Sequence, residues 1–432
     1  MSGVAAGITA ARGGCKVLIV EKNSYLGGTA TGGLVTPMMK NALKNGKDLN
    51  YNLNSKLYGE ILDRLALTGD AATFKDGNAG WFNPEVMKCV LDDFCEEENI
   101  DVLFDTTVVA VLKEENAITS IQIFNRSGLN NMTAKYFVDA TGDADLSALA
   151  GVPYESGENG VNQAMSLRFT MTNINLEKFA WWLDEIDSNS DVTSIYRPAN
   201  GETLIHTAYT WDNKDWKLKP YFEKGIAEDI ITKEDSAYFQ VFSIPGQRGS
   251  LAFNCPRIYA DKSLNLLALN PLDTRDISLA YKIGRQQIRR ISKFCVKYFP
   301  GFEESSVGQI APMLGIRDSR RIKGKYTLTE QDIAAGRKFE NPVARSNYPV
   351  DIHSGEKNKS ELTFLNEDDY YEIPLEALMP VGVDNLLVVG RCISATFKAQ
   401  ASLRIIPNCI SMGEAAGKYL SKQIQKEDNN DG

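Results

Sequence analysis

Histidine is nearly absent from this chain: His206 and His353 are the only two. Cysteine is present but unpaired in pattern. Cys15, Cys89, Cys95, Cys255, Cys295, Cys392 and Cys409 are scattered, odd in number and contain no CxxC, so the spacing of a zinc site, a disulfide scaffold or a thioredoxin-like dithiol is missing. No metal site is expected. Free thiols in a reducing compartment are, and with them a cytoplasmic location. Long apolar runs are also missing, since VLIV at 17–20 and LLVVG at 386–390 have strand length and a bilayer span needs roughly 20 residues. No membrane span is expected. Dense Lys/Arg runs do not occur, and a net charge of −9 sets the overall field against phosphate backbones, which excludes nucleic acid as a partner. The expected partner is a small-molecule substrate, with an electron acceptor of unspecified nature.

What is there is an ordinary globular composition, 43% apolar over 432 residues, enough for two domains. Gly3, Ala6, Gly7, Ala10 and Ala11 recur at helical spacing, which predicts a helix over 2–12 with a face almost free of side chains, able to lie close to a sheet. Lys16–Val20 reads as a buried parallel strand and 26–33 as a glycine-rich loop. Helices are expected over 53–67 and from Asn83-Pro84 to about Glu98, the latter with an asparagine cap and proline in its first turn. Short strands follow between 101 and 138, as a three-stranded excursion that returns to the main sheet at 136–140. From 155 to 350, strand-like runs such as MSLRFTMTN, AYFQVFSIP and SLAFNCPR mix with a helix at 276–298, a sheet with helical cover. A second short apolar strand at 385–390 and a helix at 408–425, entered through Pro407 and Asn408, bring the chain back to the character of its start. KEDNNDG reads as a solvated tail. The fold class expected is α/β: a Rossmann-like domain made of 1–155 and 360–432, interrupted by an α+β substrate domain over 156–359.

The opening run MSGVAAGITAARGGCKVLIVEK has the order of a dinucleotide-binding unit. In such a unit three glycines allow a tight turn, close approach of backbone N–H groups to a pyrophosphate, and close helix–strand packing. Gly3 stands where the third would be, and Glu21 ends the next strand, where a carboxylate accepts hydrogen bonds from the adenosine ribose. The same acid disfavours a 2′-phosphate. The segment preceding Gly3 would hold a first strand and the rest of the turn, so the chain is expected to be truncated or misassigned at its start. FVDATGD at 137–143 ends a strand in Ala-Thr-Gly, a sharp turn at the sheet edge where ligands of such folds bind. After LLVVGR, Asn408, Cys409 and Ile410 at a helix N-terminus could supply N–H groups to negative charge on a reduced flavin.

Together, SGVAAGITAARGGCKVLIVEKNSYLGGTATGGLV, FVDATGDADLSALAG, GIRDSRRIKGKYTLTEQDI, YPVDIH and YEIPLEALMPVGVDNLLVVGRCISATFKAQASLRIIPNCISMGEAAG resemble the FAD-dependent oxidoreductase family, related to glutathione-reductase-type and fumarate-reductase-type flavoproteins. The resemblance covers nearly the whole chain in the right order. It implies FAD as cofactor, with Gly3 and Glu21 at the pyrophosphate and ribose, and Lys22 and Gly27-Gly28-Thr29-Ala30 passing over the pyrophosphate and flavin. It also implies Val109 at the adenine, and Ala140, Thr141, Gly142 and Asp143 lining the cofactor. Gly390 and Arg391 would return to the pyrophosphate and ribityl chain, and Leu403 to Asn408 would lie below the ring.

A flavin supplies the redox step, so the protein must position a substrate and handle a proton. His353 in YPVDIH is the candidate general base, oriented by Asp351; His206 reads as structural. Arg317, Arg320 and Arg321 flank Asp318 and Ser319, a cluster able to bind an anion, although one arginine could instead pair with Asp318 or Glu304. Arg404 could reach either substrate or flavin. The catalytic set expected is therefore His353, Asp351, Arg317, Arg321 and Arg404, for hydride transfer between flavin and a small polar, or anionic, substrate at the domain interface. A cofactor-free binding protein or remnant is the alternative, and an NAD-dependent dehydrogenase a third, weakened because the return GRCISATFKAQASLRIIPN is unnecessary for NAD.

Overall fold

A computed structural model describes residues 1–39, 41–45, 48–72, 80–187, 192–197, 201–210, 216–258, 269–353, 360–363 and 369–430, with the side chains of 44–52, 209–210, 353 and 360–363 left out of the description. It is mixed α/β. The opening helix spans Ser2–Arg12 and leads into the strand Leu18–Val20, which pairs in parallel with Asp101–Leu103. A second parallel pair joins Phe137–Asp139 to Leu386–Val388, so a segment some 250 residues downstream returns to complete this part of the fold. Among the described residues the two pairs form separate sheets, and the opening helix lies over both: a Cβ on Gly3 would lie 2.8 Å from the Ala140 Cβ, and one on Gly7 3.1 Å from Ile19.

The small-residue face predicted for this helix has a second partner. The last helix, Ile406–Asn430, packs along it so closely that a Cβ on Gly417 would lie 2.8 Å from Thr9 and 2.9 Å from the Ala10 nitrogen, and one on Gly413 2.9 Å from Ala5. Glycines four apart on one helix face let two backbones approach where side chains would hold them apart. This helix begins two residues before the expected Asn408 and runs through most of the expected tail: Lys135 pairs with Asp428 at 2.7 Å and Tyr136 donates to Glu427.

Helices Lys56–Leu67 and Pro84–Glu97 cover the other side. Asn83 caps the second, its side chain accepting from the Glu85 N–H at 3.1 Å. The excursion is a three-stranded antiparallel meander of Thr107–Glu114, Ala117–Asn125 and Gly128–Met132.

The inserted segment builds a six-stranded antiparallel sheet in the order Thr193–Tyr196, Leu204–Thr210, Tyr238–Ser243, Leu251–Phe253, Phe169–Thr172, Ser306–Ile310. The helix Thr274–Tyr298 packs Phe294 into an aromatic cluster with Phe222, Phe239 and Phe299. Edge-on and tilted ring contacts of this kind add to the burial of large apolar surface. Among the described residues, no helix is long and apolar enough to cross a membrane.

Candidate functional site

Between the parallel strand pairs and the antiparallel sheet lies a cleft of about 1260 Å³, mouth included. One wall is backbone-rich. The start of the opening helix, Gly27–Thr29, Ala140–Gly142, Val389–Arg391 and the start of the last helix all reach it. Helix starts leave N–H groups without intrahelical partners, and Met1 and Ser2 at the start of the opening helix and Ile405, Ile406 and Cys409 at the start of the last one line this wall beside Arg391 and Arg404.

The strand Phe137–Asp139 makes its turn through Asp139, which is fully buried. One carboxylate oxygen accepts from Thr141 N and Oγ1, the other from Ser147 N and Oγ, at 2.7 to 3.1 Å. That holds Gly142 at φ +76° above Arg391, whose Nη1 would lie 2.7 Å from a Cβ at 142. Gly28 has φ +57° and an added Cβ there would meet nothing within 4 Å; it lines the cleft while its carbonyl accepts from the Gly32 N–H at 2.8 Å.

The second wall is cationic and buried. Arg317 donates from Nη1 to the Ala164 carbonyl at 2.7 Å, Arg168 to the carbonyls of Leu34 and Thr36 at 3.1 and 3.3 Å, and Arg404 to the Asp351 carbonyl at 3.0 Å and Gln163 Oε1 at 3.3 Å. Asp351 and Tyr348 lie beside them, Tyr348 Oη donating to Asp351 Oδ2 at 3.3 Å. Burial pushes the Tyr348 phenol far above its usual range, with the Asp351 charge adding to the effect, so it is a permanent donor. Burial also pulls the Arg168 guanidinium down to about 10, with Arg257 adding and Tyr238 opposing. Arg317 is depressed strongly by burial and by the like charges of Arg257, Arg404 and Arg168.

The expected residues divide. Gly27, Gly28, Thr29, Ala140, Thr141, Gly142, Gly390 and Arg391 line the cleft, as do Asp351, Arg317 and Arg404. Gly3 lies one layer behind, against Ala140, and Ala30 and Leu403 are fully buried. Glu21 accepts from Asn23 N and Nδ2 at 2.9 and 2.6 Å. Lys22 is exposed, close enough to Asp143 to act on its charge. Val109 is on the meander, 40% exposed. Asp143 does not line the cleft: it accepts from Arg391 Nη2 at 2.7 Å and Ser319 Oγ at 2.6 Å, and so positions the arginine that does.

Two expectations change. Cys409 was expected as an N–H donor, but its N–H is spent on the Ile405 carbonyl at 3.0 Å, because the helix starts earlier than Asn408. Asn408 is fully buried, its Nδ2 bonded to the Leu403 carbonyl at 3.1 Å. Of the three arginines in GIRDSRR only Arg317 faces the cleft, next to Gly315 and Ile316. Arg321 donates to the carbonyls of Ala395 and Gly157, and Arg320 to Asp143 and Asp145; Asp318 takes its bonds from Asn162 and Gln163 rather than from an arginine. The side chain of His353 lies outside the described residues. His206 stacks on Phe242 with centroids 5.0 Å apart.

Arg168, Arg257, Asn254 and Tyr348 were missed. The signal for the two arginines was a single charge inside an otherwise apolar strand run, MSLRFTMTN and SLAFNCPR, since arginine is almost never fully buried without a partner or a task.

The site fits an FAD. The turns supply backbone N–H groups and open glycine positions, and the Nε atoms of Arg391 and Arg404 are buried without a partner, as expected for donors waiting on a ligand. A family model described as FAD dependent oxidoreductase matches residues 1–429. No curated protein matches the chain. Among solved structures, a geranylgeranyl bacteriochlorophyll reductase-like protein from Thermoplasma acidophilum is 14% identical, with 99% of this chain and 77% of that one covered at a TM-score of 0.42. The flavin-dependent brominase Bmp2 is 10% identical, with 98% and 77% covered at 0.46. The p-nitrophenol 4-monooxygenase PnpA from Pseudomonas putida DLL-E4 is 8% identical, with 98% and 76% covered at 0.44. The chain belongs to the FAD-dependent oxidoreductase family.

Proposed function

We propose that this FAD-dependent oxidoreductase moves a hydride between its flavin and a small polar substrate whose acidic group is held by Arg317 and Arg404. The observation that carries the reading is a single cleft with a backbone-rich, glycine-turned wall on one side and buried guanidinium groups on the other. Bound FAD supplies the two-electron redox chemistry. Gly28, Gly142, Gly390 and Arg391 would hold it by backbone N–H groups and one cation, in the manner of helix-start and glycine-turn sites.

The protein's own part is binding, orientation and proton handling. Arg317 and Arg404 lose solvent on burial and gain from an anion in their place, because charge-assisted hydrogen bonds are the strong ones. Tyr348 offers a hydroxyl and Asp351 a carboxylate at the same wall, where a substrate hydroxyl or amine would give up its proton as its C–H bond is broken. On sequence grounds His353 stands beside Asp351 as the proposed proton acceptor.

The test is a titration of the purified protein with FAD followed by an anaerobic screen of hydroxy and amino acids, read as bleaching of the flavin band. Bleaching by acidic substrates, lost in Arg317→Gln or Arg404→Gln with FAD retained, is the expected result. Absence of FAD binding, or equal bleaching by uncharged analogues, overturns it.

A further inference from the structure

Arg257 is the residue that the reading above does not use. It is 2% exposed, and its Nε and Nη1 have no hydrogen-bond partner. It sits one layer behind the cleft. Its strand partner is Ser166, which lines the cleft, and its guanidinium lies 4.0 Å above the ring of Tyr238. Tyr238 in turn accepts from Asn254 Nδ2 at 3.3 Å, and Asn254 is another lining residue.

The charges in this wall do not balance. Arg168, Arg257, Arg317 and Arg404 act on one another as like charges. None forms an ion pair within 4 Å among the described residues. Among the described residues, the carboxylates that act on them are Asp351 and Asp318, and Asp318 is already satisfied by Asn162 and by the backbone of Gln163. Among the described residues four guanidinium groups thus meet two carboxylates, an excess of two positive charges. Burying uncompensated charge is costly, and a guanidinium cannot escape by losing its proton at neutral pH. A ligand with one negative charge would leave half of the excess in place.

We infer that the substrate side of the cleft takes a small dianion, a dicarboxylate or a phosphate monoester, with Arg317, Arg404 and Arg168 in contact and Arg257 compensating the second charge from behind. This rests on the proposed anionic substrate and narrows it. The chemistry shared by the two ligand classes is a pair of negative charges within the reach of one cluster; their spacing differs, so probes can separate them.

The experiment is calorimetric binding of redox-inert probes to the FAD-loaded protein at about pH 8, where phosphate is doubly ionised: malonate, inorganic phosphate, acetate and chloride. Either dianion is expected to bind at least roughly tenfold more tightly than acetate, as one further buried charge pair would give. Malonate ahead of phosphate selects the dicarboxylate, and the reverse order the phosphate. In Arg257→Gln the preference over acetate should fall below about threefold with FAD content unchanged. If that variant does not fold, the wild-type salt dependence decides, being about twice as steep for the dianion as for acetate. Acetate binding as tightly as both dianions overturns the inference and leaves the proposed function standing, whereas binding of no anion removes both.

Discussion

Arg391 donates from Nη2 to Asp143 Oδ1 at 2.7 Å while its Nη1 lies beneath Gly142, 2.7 Å from where a Cβ at that position would stand. Gly142 therefore has two constraints at once, a left-handed φ of +76° and no room for a side chain. Gly142→Ala is expected to strain the turn by about 1–3 kcal/mol and to push Arg391 from its place. Titration with FAD should show affinity lowered by roughly tenfold or more; an unchanged dissociation constant would remove this turn from the cofactor site.

The same pair sets a pH dependence. Burial alone would raise the Asp143 carboxyl, but the Arg391 charge, the Ser319 hydroxyl and Lys22 together hold it below its usual value. A carboxyl depressed in the folded state stabilises the fold above its unfolded pKa of about 3.9 and loses that contribution as pH falls through the lower folded value. The stability difference between wild type and Asp143→Asn should be constant from about pH 5 to 8 and shrink below about pH 4, as read from denaturant midpoints.

Gly417 is where the last helix meets the opening helix. Gly417→Leu inserts a side chain where a Cβ alone would come within 2.9 Å of backbone, and overpacking of this kind costs about 1–3 kcal/mol. Thermal unfolding should fall accordingly. FAD binding should weaken as well, because the opening helix carries Ser2 into the cleft.

Asn83 joins the two parts of the molecule. Its Oδ1 accepts both from the Glu85 N–H at the helix start and from Gln247 Nε2 at 2.8 Å in the inserted segment. Asn83→Ala should cost about 1–2 kcal/mol from the lost cap, and Asn83→Asp, which keeps the acceptor but replaces the amide that donates to Asp70 Oδ1 at 2.9 Å with a second carboxylate, should recover stability only as pH is lowered and one of the two carboxyls is protonated. A denaturation series on the three proteins across pH checks both.

Tyr348 is expected to act as a hydrogen-bond donor throughout the working range, since burial and Asp351 hold its phenol protonated. Tyr348→Phe should slow flavin bleaching by roughly 10²-fold, the lower end of what general acid–base assistance contributes, without loss of FAD. Bleaching at the wild-type rate would exclude the hydroxyl from proton handling.

Much of the fold was legible because local signals agreed with tertiary demand. Asn83-Pro84 marks a helix start with one conformational solution, and LLVV admits little but a buried strand; VLIV does form its parallel strand, but Leu18 is 42% exposed and Ile19 and Val20 are half-buried, so the expected burial there is not met. The glycine turns were legible for the same reason, since few sequences other than Ala-Thr-Gly or Leu-Gly-Gly can make such bends. Helix ends were less so. Asn408 carries a good capping side chain, yet the helix begins at Ile406, because burying Ile406 and Ile410 with the opening helix outweighs the cap. GIRDSRR shows the limit more sharply. Its three arginines look equivalent in sequence, but strand pairing of Arg320–Ile322 with Tyr154–Ser156 turns Arg320 and Arg321 away and leaves Arg317 at the cleft.

By itself, the sequence determined the family, the cofactor class and the places where the backbone must turn, because those depend on residue types with few conformational options. Only the tertiary structure decided which charges share a cavity. Arg168, Arg257, Arg317 and Arg404 lie far apart along the chain, and nothing local distinguishes a buried arginine from an exposed one. Their meeting across one cleft wall, beside Tyr348 and Asp351, is a product of sheet order and helix packing, and it is this meeting that gives the site its charge.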